Sequence, residues 1–346
     1  MTRAAAGEIS VQQRSADRLN LRRLPYIYQE LAKARLSSLV LVTTAAGFVL
    51  GSTTHLDFAL LLWTVLGTGL AAACANTWNQ IIEIDRDALM NRTQNRPLPS
   101  RQISVLHAAV WGTASGLVGL ALLALAVNML TAVLGLVTIL LYVTVYTPLK
   151  VRTSLNTIVG AVCGAIPPLM GWTAATGSFG SGGWILAAVL FTWQIPHFLA
   201  LAWMYREDYR RGGYRMLPVI ARGGALTGPV AVLYALALLP VSLVLTLAGV
   251  SGSTYALGAL LIGCLFLVPA FHLMRKPSDR AARRLFLASI MYLPMVLLLA
   301  VSDRNPLSEN DLVLQEAALP QVNPLPAEGN GTPVGLMMPT PAEAGG

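Results

Sequence analysis

Asn76-Thr-Trp-Asn-Gln-Ile-Ile-Glu-Ile-Asp-Arg-Asp-Ala-Leu-Met-Asn-Arg-Thr-Gln-Asn-Arg-Pro-Leu-Pro-Ser100 is the densest polar block in an otherwise apolar chain. Asn79, Glu83 and Asp87 stand at i, i+4 and i+8. At about 100° per residue this spacing predicts one oxygen-bearing stripe along a helix, drifting only ~40° per step. Arg86, Arg92 and Arg96 surround the stripe. Carboxylate oxygens beside guanidinium groups suit a hard divalent cation carrying a phosphate or diphosphate. A solvated helix end is the plainer reading of such charges. Against it, Asn79 falls about a turn inside an apolar run, where a polar group must be paired or face a cavity. Pro97 ends the helix and lets the loop fold back over a bound anion.

The apolar run around Asn79 is one of many. The 346 residues are 55% hydrophobic and only 12% charged, with a mean hydropathy of +0.61, whereas a soluble domain approaches a quarter charged. The expected fold class is therefore an all-α polytopic membrane protein with nine transmembrane helices, near 36–53, 58–82, 105–127, 130–146, 155–175, 184–205, 230–248, 255–274 and 285–301. Threading nine spans from a cytosolic N-terminus puts all 24 Lys and Arg residues except Arg304 on one side. That bias is the positive-inside rule, and one span more or fewer would scramble it. The net charge of +8 is thus read as membrane sidedness, and no nucleic-acid partner is expected. Residues 1–35 are expected to form a basic, uncleaved cytosolic segment, 36–304 the membrane domain, and 305–346, rich in Pro, Glu and Gly, a disordered tail. Cys74, Cys163 and Cys264 lie singly in apolar runs and read as buried small hydrophobes. His55, His107 and His272 lack polar companions and read as interfacial or structural.

Three further stretches carry polar groups. Tyr146-Thr-Pro-Leu-Lys150 brings a lysine to the depth of the acidic loop, where it could neutralise a leaving diphosphate; the same pattern also fits an aromatic belt with a snorkelling lysine. In the sixth span, Trp193-Gln-Ile-Pro-His197 places Gln194 and His197 at a proline kink, with Arg206 and Asp208 following. Gly164-Ala-Ile-Pro-Pro-Leu-Met-Gly-Trp172 is read either as close helix packing or as room for a bulky flat ligand. The loops after the second and sixth spans, four spans apart, permit two bundles facing one central cavity.

In order and spacing these motifs resemble those of the UbiA-type intramembrane prenyltransferases, and within them the heme-modifying branch. The marks are Asn79-x-x-x-Glu83-x-x-x-Asp87, Met90-x-Arg92-Thr93, Arg96-Pro97-Leu98, Tyr146-x-x-x-Lys150, Trp193-Gln-x-Pro-His197-Phe198, and Arg206-x-Asp208-Tyr209 with Gly213 and Met216-Leu217-Pro218. The wider superfamily carries two D-x-x-x-D motifs. Here Asn79 and Glu83 replace Asp in the first, and the second is reduced to Glu207 and Asp208.

The resemblance implies nine helices around a cavity in the inner (plasma) membrane, open toward the cytosol. It implies Mg²⁺ held by Asn79, Glu83, Asp87 and Asp208, with Arg92, Arg96, Tyr146, Lys150 and Arg206 binding the diphosphate. The implied reaction is farnesyl transfer from farnesyl diphosphate to a vinyl group of heme B, with His197 and Gln194 handling the heme. Heme A synthase or terminal oxidase assembly factors are the partners it suggests. Two other readings stay open at this stage. A prenyltransferase for an aromatic or quinone-precursor acceptor would share the diphosphate site. A heme or lipid transporter would also use broken helices, although none of the sixteen acidic residues falls in mid-span.

Overall fold

A bilayer core offers backbone N–H and C=O groups no partners, so a chain this apolar closes its hydrogen bonds within helices. The computed structural model describes residues 23–221 and 224–308, which contain nine helices long and apolar enough to cross a membrane and no β-sheet. A short helix α1 (Leu24–Leu31) precedes them. The spans are α2 (Ala34–Gly51), α3 (Phe58–Ile82), α4 (Val105–Val127), α5 (Met129–Leu149), α6 (Asn156–Thr176), α7 (Ser181–Met204), α8 (Thr227–Leu247), α9 (Ser253–Arg275) and α10 (Asp279–Ser302). Side-chain caps start four of them: Asp57, Ser104, Asn128 and Ser278 each accept a first-turn N–H. The Ser278 cap starts α10 six residues before the expected position, so Arg280, Arg283 and Arg284 ride on helix rather than loop.

Two contacts position the cavity. Helices α2 and α6 cross at backbone distance, because a methyl group on Gly47 would strike the Pro168 carbonyl and one on Gly171 the Thr44 carbonyl. Small residues permit such an approach. Helices α6 and α7 are the most enclosed spans, α7 packing on α6, α8 and α10 and burying Leu186, Leu190, Trp193 and Leu199. The outer helices instead expose Leu106, Leu117 and Leu125 of α4 and Leu257, Leu261 and Leu265 of α9, as a lipid-facing surface requires. Cys264 shares that α9 face and is exposed, contrary to the burial expected for all three cysteines.

Sequence alone gives the segment 1–35 charge without structure. Residues 1–22 lie outside the described residues, as do 309–346 of the expected tail. From Leu24 the chain forms α1, whose Ile27 and Leu31 bury against Leu98, Ile103 and Ala108. Tyr28 stacks on Trp111 and hydrogen-bonds His107 at 2.8 Å, so His107 does have a polar companion. Gln80 ties α3 to the end of α1 through the Glu30 and Leu31 carbonyls.

Candidate active site

The predicted continuous helix through Asn79, Glu83 and Asp87 is broken. Helix α3 stops at Ile82, Glu83 adopts φ −98° and ψ 7°, and a separate turn runs Ile84–Asp87. The stripe nevertheless persists, since Glu83 N–H donates to the Asn79 carbonyl and Asp87 N–H to that of Glu83. Glu83 and Asp87 line a cavity of about 320 Å³ with Lys33, Arg92, Arg96 and Lys150, while Gln194 and His197 line it from α7.

Each predicted metal-ligating group on the stripe is already met by a cation. Lys33 Nζ donates to Asn79 Oδ1 at 2.6 Å, Lys150 Nζ to Glu83 Oε1 at 2.9 Å, and Arg96 Nη1 to Asp87 Oδ2 at 2.7 Å. Asn79 is completely buried, its amide N–H donating to Thr147 Oγ1. Burial alone would raise the Glu83 carboxyl, but Lys150 and Lys33 outweigh it and hold Glu83 below the usual glutamate range. Lys150 goes the other way: Glu83 overcomes the cost of burial and holds its ammonium above the ordinary value. For Lys33, burial followed by repulsion from Arg96 and Lys150 wins, and its proton is held well less tightly than in water.

Lys33 was not singled out by the sequence reading. It sits at φ 48°, a left-handed conformation that costs roughly 1–2 kcal/mol for a residue with a Cβ, just before α2. Tyr214 was missed as well. It lines the cavity almost fully buried, and its hydroxyl makes no hydrogen bond. Burial, reinforced by Glu83 and Asp87, raises its pKa and keeps it protonated, so its O–H faces the Glu83 carboxylate without closing a hydrogen bond to it.

The remaining predicted residues divide. Arg92 lines the cavity with its guanidinium over the Tyr205 ring at 4.9 Å. Tyr146, in a π-helical turn at 141–146, lies against Gly160, and Lys150 sits 4.7 Å from its ring centroid; such bulges often mark functional positions. Gly164 leaves room for the Gln194 amide and Gly171 serves close packing on α2, so the stretch meets the packing expectation, and the space at Gly164 is taken by a side chain.

Asp208 and Arg206 are not brought into the cavity lining. The Asp208 carboxylate accepts the backbone N–H groups of Asn91 and Arg92 at 3.3 and 3.2 Å and sits 3.5 Å from Arg211. It clamps the loop that follows the stripe, and its oxygens are committed there. Arg206 turns outward to Asp279 at 2.5 Å and the Trp203 carbonyl. Arg86 adds a second link between these loops through the Gly212 carbonyl at 2.9 Å.

Among the described residues no three His, Cys, Asp or Glu side chains converge into a metal cage. The Glu83 and Asp87 carboxylates at the cavity do fit Mg²⁺, which is usually held by one or two carboxylates with the rest of its shell from water and substrate phosphate, while Asn79, fully buried, is not among the residues that line the cavity.

The UbiA prenyltransferase family profile matches residues 40–295. A human protein named protoheme IX farnesyltransferase, mitochondrial, is 45% identical over 83% of this chain and 64% of its own length. The chain thus spans less than two thirds of that relative. Proteins named protoheme IX farnesyltransferase from Solibacter usitatus and Salinibacter ruber are 41% and 44% identical, each over 80% of this chain and 98% of theirs. Among solved structures, a digeranylgeranylglyceryl phosphate synthase aligns with TM-score 0.68 at 18% identity, covering 80% of this chain and 97% of that one. A UbiA homolog from Archaeoglobus fulgidus bound to GPP and Mg²⁺ aligns at 0.60 and 16%, covering 80% and 99%. At those identities the structures bear on fold alone.

Proposed function

This chain belongs to the UbiA prenyltransferase family, and from that membership we propose that it transfers the farnesyl group of farnesyl diphosphate to a vinyl group of heme B, giving heme O and pyrophosphate. The observation that carries the acceptor is the 41% to 45% identity to proteins named protoheme IX farnesyltransferase. The cavity supports the donor: a cationic end suited to a diphosphate continues into a wall lined by Leu36, Leu39 and Val40 of α2 that suits a prenyl chain.

In this reading Asn79, Glu83 and Asp87 would hold Mg²⁺, which would neutralise charge on the leaving diphosphate. Lys33, Lys150 and Arg96 release their present partners and turn to the diphosphate oxygens, joined by Arg92 and the Tyr214 hydroxyl. Donors aimed at charge that develops as the C–O bond breaks are each worth about 3 kcal/mol. The Tyr146 ring and the apolar walls keep water from the allylic cation. The terminal vinyl carbon then bonds to C1 of the farnesyl group, water adds to the neighbouring carbon, and one proton is lost. Gln194 and His197 line the acceptor region. We place the protein in the plasma membrane; the Lys and Arg distribution supports the diphosphate end facing the cytosol, and heme A synthase or oxidase assembly factors would receive the product.

The test is incubation of the purified protein with heme B, farnesyl diphosphate and Mg²⁺, with products identified by mass. Heme O is expected, and Asp87→Ala should abolish it while the protein remains inserted. Unmodified heme there, with prenylation of an aromatic acceptor supplied in a parallel incubation, would replace the assignment. Absence of Mg²⁺-dependent pyrophosphate release would remove catalysis.

A further inference from the structure

His197 is held on three sides. Its ring lies between Trp193 and Phe286, with centroids 5.1 and 4.9 Å away and interplanar angles of 23° and 29°. Its Nδ1 is 2.8 Å from Ser289 Oγ, and Ser289 is completely buried in α10. That hydroxyl also lies 2.6 Å from the Phe286 carbonyl oxygen. A carbonyl oxygen can only accept, so the single hydroxyl proton must point at it; otherwise two lone-pair-bearing oxygens would face each other at that distance. The hydroxyl is then left to accept from His197, and Nδ1 carries the imidazole proton. The neutral ring keeps its lone pair on Nε2, which has no hydrogen-bond partner among the described residues, on a side chain that lines the cavity. Trp193 Nε1–H donates to the Ser289 carbonyl at 2.9 Å and fixes the same turn of α10 against α7.

We infer that Ser289 is a positioning residue that sets the His197 tautomer, so that Nε2 ligates the iron of a metalloporphyrin acceptor in this cavity. The inference rests on the heme reading above and adds to it the atom that holds the acceptor. A ligating imidazole whose other nitrogen donates a hydrogen bond is oriented and made more basic, and loss of such an outer partner commonly costs 10- to 100-fold in metal affinity. The ring sandwich removes the remaining freedom of rotation. Iron ligation would fix where the macrocycle sits, and with it which edge meets the prenyl donor.

The purified chain in detergent is titrated with ferric heme B and, separately, with iron-free protoporphyrin IX, following absorbance and electron paramagnetic resonance. Wild type should bind both, with a histidine-ligated signature for heme. His197→Ala should lose that signature and its preference for heme over the iron-free ring, with protoporphyrin affinity unchanged. Ser289→Ala should weaken heme binding about 10-fold at an unchanged melting temperature and unchanged protoporphyrin affinity, and Ser289→Thr, which keeps the hydroxyl, should recover it. If His197→Ala binds heme and protoporphyrin in the wild-type ratio, iron ligation is wrong while the heme reading stands. If Ser289→Ala keeps the wild-type heme signature and affinity, the positioning role is wrong. If wild type binds neither porphyrin, the proposed function itself fails.

Discussion

Replacing Lys150 by Met keeps the length of the stem and removes the charge that faces Glu83. The two groups are 2.9 Å apart with side chains 10% and 7% exposed, and removing one partner of a buried pair costs about 3–5 kcal/mol. The stranded carboxylate can escape by taking up a proton. From an ordinary glutamate value near 4.3, that uptake costs about 3.7 kcal/mol at pH 7, which caps the penalty, and Lys33 nearby trims it to roughly 3 kcal/mol. In the wild-type protein the Glu83 pKa is lowered. Its contribution is therefore complete above the unfolded value and is lost only as pH falls through the lowered one, so wild-type stability should be flat in this group from about pH 5 to 7. In Lys150→Met the folded pKa rises instead, and the proton-uptake cost that caps the loss falls by about 1.4 kcal/mol per pH unit, to about 1 kcal/mol at pH 5. Thermal unfolding in detergent across that range, for wild type, Lys150→Met and Glu83→Gln/Lys150→Met, measures all three. A loss that does not change with pH, or a double variant no more stable than the single, would refute the pairing argument.

Asp208→Asn should raise the apparent KM for the prenyl diphosphate by loosening the Asn91 and Arg92 loop, with the Mg²⁺ concentration for half-maximal rate unchanged; a marked shift in that Mg²⁺ requirement would return Asp208 to the metal site. Arg206→Gln removes an exposed pair and should alter stability by less than about 1 kcal/mol, with diphosphate affinity as in wild type by calorimetry. Tyr214→Phe deletes a buried hydroxyl that closes no hydrogen bond, so the melting temperature should hold or rise. Inorganic pyrophosphate binding should weaken about 10-fold, as expected for one hydrogen bond to an anion. Gly47→Val should destabilise by several kcal/mol in thermal unfolding, because its side chain would enter the Pro168 backbone.

The membrane fold was legible because bilayer physics leaves few choices. An apolar run of sufficient length must be a helix, and eight of the expected spans differ from the observed ones by only a few residues at each end. The start of α10 was displaced because hydropathy reads where the lipid ends, while the helix continues into water behind the Ser278 cap. Helix α1 escaped for a related reason. Its burying surface, Leu98, Ile103 and Ala108, comes from more than sixty residues away, so nothing local distinguishes it from a solvated basic stretch.

At the site, spacing identified the stripe because 3.6-residue periodicity persists through the break at Glu83. Spacing cannot tell which charges meet. Lys33 and Asn79 are 46 positions apart, and Asp208 reads as a ligand until the Asn91 and Arg92 backbone is seen to occupy it. A carboxylate in sequence is only an acceptor; its role depends on which donor reaches it first. The same holds for donors, since Tyr214 gains its meaning from the Glu83 and Asp87 carboxylates it faces. The motif therefore identifies the chemistry of the diphosphate end through residues that recur on one helix face, whereas Lys33, Tyr214 and Ser289 become informative only where the chain returns to that face from elsewhere.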